Sequence, residues 1–149
     1  MGYYMRYITE ATQPMSIGEL GKALKKGAGP LSLAFDDADD TAADLEFGSD
    51  VIGAIEINRS GDGLFEEEIE ELLEFLADVD DPDRARVERL LKQATAIYAV
   101  RVLFGERDTE ETLERLDAVW DVLFSKMPGL LQADGEGYYD QAGQVLEVK

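Results

Sequence analysis

The 149-residue sequence contains no cysteine and no histidine, and only 14 lysines and arginines against 33 aspartates and glutamates. Without cysteine there are no disulfides, thiolate metal sites or thiol nucleophiles. Without histidine there is no Ser-His-Asp triad, no imidazole acid–base chemistry and no His-based zinc hydrolase site. A formal net charge of −19 argues against direct binding of nucleic acid or an anionic membrane, both of which need a positive footprint. Apolar runs last only a few residues, far short of the ~20 that a membrane span needs. The N-terminus lacks the apolar centre of a signal peptide. Gly2 is not followed by a myristoylation signal, because Arg6 stands where Ser or Thr is required. The expectation is a cytoplasmic chain with no membrane or nucleic-acid partner.

What is present suits a folded core. The chain is 45% hydrophobic, too apolar for a disordered acidic tail, and its length fits one domain over residues 1–149. Residues 3–9 (YYMRYIT) are aromatic and β-branched and predict a strand. Ser16 with Glu19 forms a capping box ahead of Ile17, Leu20 and Leu24 at helical spacing. Residues 31–35, 45–47 and 51–57 predict strands, the last two joined by a Gly48-Ser49-Asp50 hairpin turn. Phe65, Ile69, Leu72, Leu73 and Leu76 predict a helix, and Pro82 opens another that ends near Gln93. Residues 94–104 form the longest strand candidate. Asp108 then caps a helix carrying Leu113, Leu116, Trp120, Leu123 and Met127 on one face, with Trp120 in the core. Residues 130–133 and 144–148 read as a closing pair of strands around a Gly135/Gly137 connection.

This order predicts an α+β fold: a mixed, largely antiparallel sheet with helices packed on one face. Residues 3–58 and 97–148 read as two similar β-α-β-β halves joined by a helical connector over residues 64–93.

The charge is local. Residues 1–35 hold two acids and four bases, residues 36–83 hold nineteen acids and the single base Arg59, and residues 84–149 hold twelve acids and nine bases. Salt adaptation would spread acids over every exposed face. Here the excess falls into three clusters: Asp36, Asp37, Asp39 and Asp40; then Glu66, Glu67, Glu68, Glu70, Glu71 and Glu74, expected on the solvent side of a helix; then Asp78, Asp80, Asp81 and Asp83. Like charges at i and i+4 cost a few tenths of a kcal/mol each, on the order of 0.2–0.5. Arg84, Arg86, Arg89 and Lys92 on the following helix are the nearest source of compensation.

The sharpest motif is Asn58-Arg-Ser60-Gly-Asp62-Gly63-Leu-Phe65-Glu66. It is similar to an EF-hand loop over nine residues, with Asn58, Ser60, Asp62 and Glu66 as oxygen ligands for Ca²⁺ or Mg²⁺. The bidentate Glu of position 12 is replaced by Ile69, and the competing expectation is a strand-to-helix turn capped by Asp62. No compact catalytic set is visible, so the chain is not read as an enzyme. Tyr138 and Tyr139 are adjacent, so alternation buries one ring and exposes the other. The expected function is a non-catalytic binding or inhibitory module whose acidic face docks a basic protein. The alternatives are a small-molecule or divalent-cation-responsive domain, and a face that is only solvated.

Overall fold

The computed structural model describes residues 3–27, 29–35 and 41–148. Tyr3–Thr9 forms β1. The capping box opens α1 (Ile17–Lys26): the Ser16 hydroxyl accepts the Glu19 N–H, and the Glu19 carboxylate accepts the Ser16 N–H. Strands β2 (Leu31–Ala34), β3 (Ala42–Phe47) and β4 (Asp50–Arg59) follow, with Gly48 at φ 63° in the expected hairpin turn. Helices α2 (Leu64–Leu76) and α3 (Arg84–Gln93) lead to β5 (Ala96–Val102). The chain then runs through α4 (Thr109–Arg115), α5 (Asp117–Lys126), β6 (Gly129–Ala133), β7 (Gly137–Asp140) and β8 (Gly143–Glu147). No helix among the described residues is long and apolar enough to cross a membrane.

The strands form one antiparallel sheet in the order β2-β3-β4-β5-β1-β6-β7-β8. The fold is α+β. Its helices, expected on one face, divide between two. Ile17, Leu20 and Leu24 of α1 share a core with Val119, Trp120 and Leu123 of α5 and with Tyr7, Tyr98 and Leu131 of the sheet. Phe65, Leu72 and Leu76 of α2 pack with Val87, Leu90 and Leu91 of α3 on Ile8, Ile97 and Leu130, which point the other way from their strands.

Connectivity gives the reason. The antiparallel steps across the sheet make β1 parallel to β2 and β5 parallel to β6. Right-handed crossovers then put α1 and the α4–α5 pair on the same face. The α2–α3 pair joins two antiparallel neighbours, β4 and β5, so crossover handedness does not constrain it. It covers the apolar residues that the first layer leaves bare.

Residues 3–58 and 97–148 each supply a central strand and a three-strand meander. The first meander joins the centre through its last strand, β4, and the second through its first strand, β6. Three local expectations also change. Residues 137–140, read as a connection, form β7 and separate β6 from β8. Gly137 permits this, because a Cβ there would lie 2.0 Å from the Leu146 carbonyl oxygen. The long helix after Asp108 breaks at Leu116, whose N–H bonds back three residues to Leu113. Asp108 makes no side-chain cap; its carbonyl instead accepts the Thr112 N–H and hydroxyl. Trp120 is in the core as expected, 4% exposed.

Candidate functional site

Arg6 is a charged residue near the centre of the sheet. Its β1 neighbours Met5 and Tyr7 face the α1–α5 core, so alternation turns Arg6 towards α2. There it lies in register with Ala99 of β5 and Gln132 of β6, and Gln132 is in turn opposite Tyr138 of β7. The small Ala99 side chain leaves room on one flank of the arginine.

The guanidinium is held on several sides. Its Nε donates to Glu68 Oε2 of α2 at 2.5 Å, and its Nη1 donates to Gln132 Oε1 and Asp134 Oδ1, both at 2.8 Å. The Tyr4 ring stands 5.4 Å away. Asp134 is itself fixed by the Tyr4 N–H at 3.2 Å and the Gln132 side-chain amide at 3.2 Å. The Asn58 amide reaches the other Glu68 oxygen at 3.5 Å. Burial lowers the Arg6 pKa, but hydrogen bonds to Glu68 and Asp134 outweigh it and the net shift is upward. This arginine is a fixed positive charge.

The Arg6–Glu68 pair divides the space beneath α2 into two cavities. One, about 300 Å³, opens between α2 and β6–β7 and is lined by Glu71, Leu72, Phe75, Asp134 and Tyr138 as well as the pair. The other, about 250 Å³, lies towards β4 and is lined by Glu56, Asn58, Leu64, Glu67 and Ala99 among others. Tyr138 is 2% exposed and its hydroxyl has no hydrogen-bond partner among the described residues. Burial raises its pKa, and the charge of Arg6 opposes the rise.

The exposed surface of α2 carries the acids singled out from sequence, with Glu67 and Glu71 at the cavity mouths. Glu66, Glu67, Glu70, Glu71 and Glu74 are exposed, as are Asp78, Asp80 and Asp81 in the following loop. Two of the three acidic clusters are thus exposed on consecutive segments, except that Glu68, expected on the solvent side with them, turns inward to Arg6; Asp36, Asp37, Asp39 and Asp40 lie outside the described residues. The α3 bases do not answer them. Arg84 pairs with Glu88 within α3 and donates to the Ala77 and Val79 carbonyls, and Arg86 pairs with Asp140. Arg89 and Lys92 make no ion pair among the described residues.

The calcium-like loop is a helix start. Asp62 accepts the Arg59 N–H at 2.9 Å and the Phe65 N–H at 2.7 Å, while Glu66 accepts the Gly61 and Gly63 N–H groups, each at 3.0 Å. These backbone donors, Gly61 first, hold the Glu66 carboxyl below its usual range. Gly61 and Gly63 supply the positive φ the turn needs, at 101° and 83°. Of the four residues named as metal ligands, Asn58 turns to Glu68, and Asp62 and Glu66 are occupied by the chain's own amides. Among the described residues no group of three or more acidic side chains is placed to hold a metal ion.

The comparisons add no relative: no family model, no curated protein and no solved structure matches this chain. Arg6, Glu68, Gln132, Asp134 and Tyr138 come from distant parts of the sequence. Its clearest hint of the site was a single arginine inside an aromatic strand.

Proposed function

We propose that this protein is a non-catalytic binding module that docks a basic protein partner through α2 and the loop that follows it. The observation that carries this reading is the absence of internal neutralisation. Among the described residues, Glu67, Glu70, Glu71, Glu74, Asp78 and Asp80 make no side-chain hydrogen bond or ion pair, although four bases lie on the adjacent helix. A face of unpaired acids on a rigid helix suits electrostatic steering, which speeds encounter and selects partners by charge. Glu68 anchors this helix to the sheet through Arg6, so the face is presented in a fixed orientation.

The test uses octalysine as a defined cationic probe. Calorimetry at about 50 mM salt should show binding that weakens several-fold by about 500 mM, where the Debye length falls to a few ångströms. The combined Glu70→Gln, Glu74→Gln and Asp78→Asn variant should lose most of the low-salt affinity. No binding at low salt, or affinity unchanged in the variant, overturns the reading.

A further inference from the structure

We propose that the cavity between α2 and β7 receives one arginine side chain of the basic partner and is the specificity anchor of the docking surface. This rests on the reading of α2 as the docking face. Three observations lead to it.

The cavity is preset for a cation carrying hydrogen-bond donors. Glu68, Glu71 and Asp134 line it against the single positive charge of Arg6, so an anion would meet net repulsion. Arg6 already satisfies Glu68 and Asp134, whereas Glu71 has no partner among the described residues. The charge left to be neutralised is Glu71.

A polar group also waits unpaired in the wall. The Tyr138 hydroxyl lacks a hydrogen-bond partner although its residue is 2% exposed. The hydroxyl is not sealed off, since the one fully buried side-chain polar atom without a partner among the described residues is Trp120 Nε1; the Tyr138 oxygen keeps contact with the cavity and can accept a bond there. A donor arriving through the cavity mouth would supply that bond.

The third observation selects arginine. Phe75 is 61% exposed and lies one helical turn after Glu71, on the same side of α2 and in the same cavity wall. A guanidinium can lie flat on this ring while its fork meets the Glu71 carboxylate, and Leu72 lines the path of its aliphatic stem. A lysine ammonium satisfies the charge but has no planar face to stack. The volume, about 300 Å³, is at the low end of small-molecule pockets, which run to about 1,000 Å³, and suits one side chain.

The experiment compares octa-arginine with octalysine on the intact protein. The wild type should prefer octa-arginine by about tenfold, and labelled-protein NMR should show octa-arginine shifting the Gly135 and Tyr138 amides. Tyr138→Phe and Glu71→Gln should each bring the preference to within about twofold, a residual general preference for stacking guanidinium. Glu71→Gln changes an exposed side chain and so tests the anchor even if Tyr138→Phe disturbs folding. The Glu70/Glu74/Asp78 variant should weaken both peptides and keep the ratio. Equal binding of the two peptides, a ratio unchanged in Tyr138→Phe and Glu71→Gln, or shifts confined to the outer side of α2 overturn the anchor and leave the acidic-face reading standing. No binding of either peptide overturns both.

Discussion

Arg6 of β1 and Glu68 of α2 are joined by a 2.5 Å bond, and their side chains are only 16% and 18% exposed. The pair ties the centre of the sheet to the helix that carries the acidic surface. Removing one partner strands a charge with little water around it. Arg6→Ala should lower unfolding free energy by about 2–3 kcal/mol in urea denaturation, below the ~3–5 kcal/mol of a fully buried pair because water reaches part of this one. The double replacement Arg6→Met with Glu68→Met should recover part of the loss, since Glu68 is no longer stranded and Asp134, which also loses Arg6, keeps its Tyr4 and Gln132 donors. A double variant as unstable as Arg6→Ala would show that the pair acts through something other than its charge.

Five tyrosines link stability to alkaline pH. Burial raises Tyr3, Tyr7, Tyr98 and Tyr138. Tyr139 is pushed up to about 12 by burial and then by its bond to Glu136. In the unfolded chain a tyrosine ionises near ~10. The folded state therefore holds these protons more tightly, and their contribution is complete below about pH 10 and lost as pH rises through the folded values. A spectrophotometric titration should show most tyrosinate appearing together with loss of circular dichroism. Gradual ionisation near pH 10 with the fold intact would contradict this.

Two neighbouring glycines should respond differently. Gly137 has φ 133° and no space for a Cβ, whereas Gly135 has φ 74° and nothing within 4 Å. Gly137→Ala should cost at least about 2–3 kcal/mol and disturb the β7–β8 pairing. Gly135→Asn should cost less than about 1 kcal/mol, because asparagine tolerates the left-handed region. Thermal melts of the two variants measure the contrast.

The turn before α2 should behave as a helix cap. Asp62→Ala removes the acceptor for the Phe65 and Arg59 amides and should cost about 1 kcal/mol. Millimolar Ca²⁺ or Mg²⁺ should leave the melting temperature unchanged, since two of the four candidate ligands already serve backbone donors. A saturable rise with Ca²⁺ would restore the metal reading through linkage.

Local elements follow from near-neighbour patterns. Periodicity and capping residues depend on near neighbours, so the Ser16–Glu19 box, the Gly48 hairpin, the α2 stripe and the buried Trp120 were all legible. The sequence also located the acidic segment. Tertiary structure decided the rest. Gly135 and Gly137 mark a connection, and only pairing with β6 and β8 makes residues 137–140 a strand. The apolar stripe of α2 marked its core face but gave no sign that Glu68 turns inward, because its partner Arg6 lies 62 residues away. That Arg84 and Arg86 of α3 pair with Glu88 and Asp140 and not with the α2 acids is likewise a matter of helix rotation and distance. Coulomb and hydrogen-bond interactions act through space over a few ångströms, and sequence separation does not record that distance.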